Sequence, residues 1–304
     1  MSEINYHKYE LAAALRVTDE DAADFLQSQF SADLDALDTG QLIYGLWLDV
    51  KGKVIADSTV LRLGNEAFLI LSEHSSGEAI RAKLERHIIA DDVEIESVDL
   101  SSAYTVIHAI ADVMSALECE LPVKGAFGES DSFYIFSGRR GFDSSIEIVC
   151  KNDAAEERLS KVLKELGACP IEPSFLHEQR IEAGIALIPQ EIGPSDLPGE
   201  GALVAKGAVS LTKGCYLGQE VVARMHNVGR AQRALFKVRG IGAVPGLTAD
   251  LSNSEGKVVG ELRSAYAVLG AKTWFGGALL KTRYVDVGAE LLLDGNLVQV
   301  EGIL

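Results

Sequence analysis

The sequence predicts an α+β protein with two mixed lobes followed by a small C-terminal β-barrel. Strand and helix patterns alternate twice before residue 229, which indicates two similar lobes over about 1–100 and 101–228. From 229 to 304 only short strand patterns follow, and Asp294-Gly295 between two apolar runs is typical of a hairpin. The chain has 304 residues, of which 47% are hydrophobic, so it is long enough for several packed units.

The first lobe begins with a helix signal. Thr18 and Asp21 resemble a capping box ahead of apolar residues at helical spacing over 22–30. The Lys51-Gly52 pair is expected to form a turn between two strands. The remaining patterns predict strands over 42–48, 53–63 and 68–71 and a helix over 79–87.

The second lobe repeats this mixture of elements. Its patterns predict strands over 104–110, 133–136 and 145–149 and helices over 112–119, 153–166 and 174–183. Asp153 and Glu156 form the cap signal of the middle helix, and Gly167 is expected to end it. Segment 189–201 holds three of the seven prolines, which predicts a long irregular loop. The barrel strands are then expected over 234–238, 257–268, 279–285 and 290–300.

Charge and cysteine spacing exclude several classes of function. The net charge of −17 would repel nucleic acids and anionic membranes, so we expect no direct contact with either. No apolar run has the length of a membrane span and the N-terminus is polar, which favours a cytoplasmic protein. The four cysteines are widely separated, which argues for a reducing compartment and against a structural zinc site. We also expect a monomer.

One short stretch, 213–220 (KGCYLGQE), has the composition of a functional loop. Glycines on either side of Cys215 free the backbone to hold a thiol where a packed side chain could not be held. Lys213 is close in sequence, and a nearby cation favours the thiolate over the thiol. The alternative is a tight turn in which Cys215 is only a small buried hydrophobe.

Basic residues surround this stretch. Segment 206–239 contains seven lysines and arginines and a single acid, Glu220. A cationic segment in an acidic chain is a candidate site for an anionic ligand. The alternative is a solvated surface whose charges pair with acids elsewhere in the fold.

The segment 213–224 (KGCYLGQEVVAR) resembles the signature of YgfZ-type folate-binding proteins. These are relatives of the glycine cleavage T protein, an aminomethyltransferase. Segment 17–27, the spacing of Gly40, Tyr44, Gly52 and Asp57, and segment 180–184 (RIEAG) resemble further blocks of this family. The resemblance implies a ring of three domains with tetrahydrofolate in a central channel. It also implies that iron–sulfur enzymes, including tRNA-modifying ones, depend on the protein, so iron–sulfur proteins or cluster carriers would be its partners.

The resemblance also assigns roles to single residues. Glu182 is the first choice for accepting hydrogen bonds from the pterin edge, and Tyr44 and Asp57 would contact the same ligand. Arg224 and Arg230 would suit the anionic folate tail. Cys215 and Lys213 would form the reactive pair, within a loop completed by Gly214, Tyr216, Gly218, Gln219 and Glu220. The alternatives are a surface helix residue for Glu182 and a half-buried strand aromatic for Tyr44.

Two features of the sequence, one beside Asp57 and one in the loop 198–203, depart from the family pattern. Ala56 stands beside Asp57 where T proteins have an acidic pair, which disfavours aminomethyl transfer. Gly199 and Ala202 stand where the family tends to have Gln and Asn. Three hypotheses stay open: a folate-dependent iron–sulfur maintenance factor, an aminomethyltransferase, and a module that binds folate or a protein without changing a bond.

Overall fold

The computed structural model describes residues 4–142, 144–228 and 231–304. Its strands, in chain order, are β1 Asn5–Tyr9, β2 Ala13–Thr18, β3 Leu42–Leu48, β4 Val54–Arg62, β5 Ala67–Ser72, β6 Glu94–Ser97, β7 Ser102–Ile107, β8 Phe127–Glu129, β9 Phe133–Ser137, β10 Ser145–Cys150, β11 Cys169–Pro170, β12 Arg233–Ile241, β13 Asp250–Ser252, β14 Val258–Leu262, β15 Tyr266–Ala267, β16 Thr273–Lys281, β17 Glu290–Leu293 and β18 Asn296–Ile303. The helices are α1 Ala22–Gln29, α2 Gly77–Glu85, α3 Ile110–Ala116, α4 Asp153–Glu165, α5 Pro173–Glu182 and α6 Gln219–Val228, with a 3₁₀ turn at Pro198–Gly201.

The first sheet has the strand order β3-β4-β5-β2-β6, and neighbouring strands are antiparallel. Helices α1 and α2 pack against it around Trp47 and Phe30, which are fully buried. Thr18 does not cap a helix as predicted, because it ends β2 and pairs with Ala67. Helix α1 starts after Asp21, as the apolar spacing indicates.

The second sheet has the order β11-β1-β7-β10-β9-β8. The chain therefore starts in this sheet, where β1 pairs with β7, before it builds the first one. Helices α3 and α4 pack on the sheet through their apolar faces. The N-cap of α4 is Asn152, whose side chain accepts from the amide of Ala155 at 3.0 Å, and not Asp153 as predicted. The helix ends before Gly167, which has a φ of +68°.

The C-terminal region is a closed barrel of six strands. The order is β12-β18-β17-β13-β14-β16, and a pairing of β12 with β16 closes the ring of strands. Strand β15 is added outside it, next to β16. The predicted strand over 257–268 is interrupted into β14 and β15, which both pair with β16, because the amides of Arg263 and Ser264 both donate to the Gly277 carbonyl oxygen and shift the register. The predicted α+β class with a terminal barrel is confirmed.

The two sheets and the barrel contact one another through shared cores. Leu61 of the first sheet packs in one cluster with Phe136 of the second. Leu46 of the first sheet packs in another cluster with Phe275 of the barrel. Helix α5 contacts β15 and β16 of the barrel. The first sheet therefore contacts both the second sheet and the barrel, and α5 contacts the barrel as well. Among the described residues, no helix combines the length and apolar character needed to cross a membrane.

Candidate functional site

A cavity of about 450 Å³ lies where the two sheets and α5 meet. Its walls come from β1, β3, β4, the end of β5, the connection between β9 and β10, helix α5 and segment 185–188. This volume is in the usual range for small-molecule sites. Since the walls come from distant parts of the chain, the site forms only in the folded protein.

Asp57 and Tyr44 form the polar centre of one wall. They lie on the neighbouring strands β4 and β3, and the Tyr44 hydroxyl donates to Asp57 Oδ2 at 2.9 Å. Asp57 Oδ1 accepts from the hydroxyls of Ser75 at 2.6 Å and Ser72 at 3.2 Å. Burial raises the pKa of Asp57, although these three hydroxyl donors act in the opposite direction. The Asp57 carboxyl therefore faces the cavity with capacity on Oδ2 to accept another hydrogen bond.

Two exposed cations stand at the edge of this wall. The guanidinium of Arg139 lies over the Tyr44 ring, 3.4 Å from its centroid, which is a close cation–π contact. Lys124 also lines the cavity and is exposed. The entrance beside Asp57 is therefore positively charged, whereas the whole chain is acidic.

Arg140 joins the two sheets across the cavity. Its guanidinium lies 2.7 Å from Glu73, which follows β5, and 3.1 Å from Glu147 on β10. The Tyr9 hydroxyl donates to Glu147 Oε2 at 2.7 Å, and the Thr105 hydroxyl donates to the same oxygen at 2.8 Å. Burial is the largest single effect and opposes ionisation of Glu73, but the charge and hydrogen bond of Arg140 together with nearby His74 and His7 outweigh it and lower the pKa of Glu73. This ionic network fixes the relative position of the sheets.

A second buried ion pair lies on the α5 side of the cavity. Arg180 of α5 donates through two nitrogens to Glu191, each at 2.8 Å. Ser264 of the barrel donates to the same carboxylate. Arg180 Nε also donates to His177 Nδ1 at 3.2 Å, and the His177 ring stacks on Tyr266 with centroids 3.9 Å apart. The pair therefore connects α5 to the barrel and orients His177.

The structure brings together only some of the residues chosen from the sequence. Tyr44 and Asp57 both line the cavity. Glu182 does not, because it lies two residues beyond Arg180 on α5 and such residues point to different sides of a helix. Its side chain is half exposed and forms an ion pair with Lys237 of the barrel. Arg224 is exposed on α6 and is also absent from the described cavity lining.

Arg230 lies outside the described residues, so its expected contact with the folate tail stays a prediction.

Lys213 is a buried lysine held by main-chain oxygens. Its Nζ donates to the carbonyl oxygens of Gln27, Phe30 and Ala32 and to the side chain of Gln27, over 2.7 to 3.0 Å. Burial lowers the pKa of Lys213 to about 8. The ammonium is therefore engaged with the segment after α1, and its described hydrogen bonds do not include the Cys215 thiol.

The rest of the loop is fixed against the turn between β3 and β4. Gly218 has a φ of +85°, and a Cβ there would lie 2.6 Å from the Asp49 carbonyl oxygen. Tyr216 is buried, whereas Gly214 and Cys215 are exposed. Gln219 and Glu220 are the first residues of α6, a helix that the sequence reading did not predict. The thiol is thus presented at the surface and does not line the central cavity.

Sequence reasoning missed most of the charged residues of the cavity. Glu147 had a usable signal, since it is the one acid within the apolar strand β10. Arg139, Arg140 and Glu73 follow strands and looked like ordinary turn residues. His177 sits on a weakly amphipathic helix, and its role depends on contacts with the barrel that no local pattern reveals.

Comparisons with known proteins agree with this fold. Residues 10–110 match the GCVT N-terminal domain. The chain is 29% identical over 233 residues to the tRNA-modifying protein YgfZ of Edwardsiella ictaluri, covering 74% of this chain and 68% of the relative. It is 23% identical over 293 residues to the aminomethyltransferase of Staphylococcus carnosus, covering 93% and 80%.

A solved structure supports the fold over nearly the whole chain. The crystal structure of the glycine cleavage system aminomethyltransferase T from Bartonella henselae matches with a TM-score of 0.84 and 16% identity, covering 99% of this chain and 85% of that one. At this identity the match concerns the fold alone. Residues 10–110 are therefore similar to a GCVT N-terminal domain, within a chain that has the fold of the solved aminomethyltransferase T and is similar in sequence to the YgfZ-named relatives.

Proposed function

We propose that this chain binds tetrahydrofolate or a derivative in the central cavity and supports iron–sulfur cluster assembly or repair in target enzymes, including tRNA-modifying ones. The observation that carries the folate part is the Asp57 carboxyl, which faces the cavity beside Tyr44 and a cationic entrance. The YgfZ-named relatives support the link to tRNA modification.

The cavity residues fit the chemistry of a reduced folate. A pterin has a donor-rich edge, and Asp57 Oδ2 can accept from such a donor. The Tyr44 ring gives a flat surface beside it, already covered on one face by Arg139. The glutamate tail of the folate is anionic and would be attracted by Arg139 and Lys124 at the entrance. In this proposal Asp57 takes the pterin role first expected of Glu182, and Arg139 and Lys124 take the tail role first expected of Arg224.

Cys215 has a different part in this proposal. Its thiol is exposed on the outside of the loop, where another protein can reach it. A soft sulfur ligand or nucleophile at the surface suits a transient contact with an iron–sulfur protein or cluster carrier. The folate site and the thiol would then act on different faces of the molecule, joined by the loop that Lys213 fixes to the segment after α1.

Aminomethyl transfer is the second candidate function. It is favoured by the Staphylococcus carnosus relative, which aligns with 93% of the chain. Ala56 is buried in the core on the opposite face of β4 from Asp57, so an acid at this position would not reach the cavity. The absence of an acid at Ala56 is therefore weaker evidence against aminomethyl transfer than the sequence suggested. Measuring methylene-tetrahydrofolate formation from an aminomethylated lipoyl carrier separates the two functions. Robust turnover would favour the transferase.

Titration calorimetry with tetrahydrofolate tests the proposed site. Asp57→Asn removes the charged acceptor but keeps its size, so we expect affinity to fall about 10- to 100-fold. Glu182→Ala is the control, since Glu182 lies outside the described cavity lining and should leave affinity unchanged. An unchanged Asp57→Asn variant together with a weakened Glu182→Ala variant would place the pterin as the family resemblance first implied. Absence of binding to the unmodified protein would refute folate binding.

A further inference from the structure

His177 occupies a junction between two cavities. It lines the central cavity and also a second cavity of about 500 Å³ between α5 and the barrel. The two cavities share four lining residues, which are Glu73, His74, His177 and Leu187. A ligand that extends from one cavity towards the other must therefore pass the His177 ring.

The contacts of His177 determine which ring nitrogen carries the proton. Arg180 Nε can only donate a hydrogen bond, so His177 Nδ1 must accept it with a lone pair. Arg180 itself cannot turn away, because Glu191 holds its other nitrogens through two 2.8 Å bonds. The proton of the neutral ring is consequently on Nε2. Burial, with Arg180 second, lowers the pKa of His177 to about 4, so the ring is neutral near pH 7.

The orientation of the ring is also fixed. One face of His177 stacks on Tyr266, with an interplanar angle of 15°. The Nδ1 edge is directed at Arg180, and no described residue accepts a hydrogen bond from Nε2. A partly buried N–H donor without an acceptor is costly unless water or a ligand satisfies it.

We propose that His177 is a ligand-binding residue whose Nε2–H donates a hydrogen bond to an acceptor atom of the folate in the central cavity. This inference rests on the proposed function. It complements the Asp57 site, because Asp57 accepts hydrogen bonds from its place on β4 whereas His177 donates one from α5. The two residues together would orient a ligand that has donors at one end and acceptor oxygens further along.

A pair of matched variants tests the donor. Asn at position 177 can place an amide oxygen near the former Nδ1 and so keep the acceptor for Arg180, but it has no group at Nε2. Gln reaches further and can place its amide N–H near the former Nε2. Both variants lose the stacking on Tyr266 alike. We expect His177→Asn to weaken tetrahydrofolate binding about 3- to 10-fold and His177→Gln to stay within about twofold of the unmodified protein.

Thermal melting of both variants measures the structural cost separately from binding. Equal affinities for His177→Asn and His177→Gln would overturn the inference, since only the Nε2 donor distinguishes them. In that case Asp57→Asn would still weaken binding and the proposed function would stand. If the unmodified protein does not bind tetrahydrofolate, the inference about His177 and the proposed folate binding are both refuted. Nitrogen-15 NMR at pH 7 gives an independent check, because a proton found on Nδ1 would also overturn the inference.

Discussion

Lys83 of α2 is a buried charge whose removal should stabilise the protein. The side chain is 6% exposed and lies on the same helix face as Ile80 and Leu84, in the core under the first sheet. Its main partner is the Gln29 side-chain oxygen at 2.7 Å, and the Trp47 ring centroid is 5.8 Å away. Burial lowers the pKa of Lys83 to about 7. The charged form is therefore poorly accommodated at this position.

The magnitude follows from that pKa. An ordinary lysine pKa of 10.5 falls to about 7, and each pKa unit corresponds to about 1.4 kcal/mol. Below pH 7, burying the charged Lys83 side chain then lowers the free energy of unfolding by about 5 kcal/mol. Lys83→Met removes this cost but leaves the Gln29 oxygen without its donor, which costs about 1–2 kcal/mol. We expect the variant to gain about 3–4 kcal/mol in the free energy of unfolding at pH 6.

The lowered pKa of Lys83 also determines how the free energy of unfolding changes with pH. Because the folded-state pKa of Lys83 is lowered, the unfolded state binds more protons between pH 7 and 10.5, and stability of the unmodified protein rises with pH there. The gain in free energy of unfolding of Lys83→Met over the unmodified protein should therefore nearly vanish by pH 10. Urea unfolding at pH 6 and pH 10 measures it, with Lys161→Met on the exposed face of α4 as the control. A variant no more stable than the unmodified protein at pH 6, or an equal gain at both pH values, would refute the reasoning.

Three further predictions concern the 213–220 loop. Lys213→Met should destabilise by about 2–4 kcal/mol in urea unfolding, because three main-chain oxygens lose a charged donor, and an unchanged midpoint would contradict this. Gly218→Ala should cost about 1–3 kcal/mol, because the added Cβ meets the Asp49 oxygen at positive φ, and equal melting temperatures would contradict it. Cys215→Ser should keep the fold and tetrahydrofolate binding but lose iron–sulfur enzyme activity under oxidative stress in a deletion strain. Full complementation would make the thiol structural, and Cys150→Ser is the control, since Cys150 is a buried packing residue.

Local patterns in the sequence determined most of the secondary structure. The apolar run over 42–48 is β3 with unchanged bounds, because apolar and aromatic residues suit a strand that is partly buried in its first half and fully buried in its second. Asp294-Gly295 forms the predicted two-residue turn between β17 and β18, with positive φ at both positions. Strands β1, β2, β6, β8, β11 and β13 were missed, and the predicted strand over 279–285 overlaps β16 only at 279–281. Strands β1, β2 and β6 are short and carry polar residues or alanine, so their assignment depends on neighbouring strands.

In the candidate site, too, some residues were found from the sequence and others only from the tertiary structure. Tyr44 and Asp57 were selected from the family resemblance, and the structure places them on adjacent strands of one hairpin, where chain spacing limits their separation. Glu182 and Arg180 are two residues apart, yet only Arg180 reaches the cavity, and that depends on how α5 rotates against the barrel. Arg140, Glu73 and His177 come from three distant segments and meet through long-range packing. A local pattern carries no information on such packing, so the tertiary structure alone decided which charges surround the cavity.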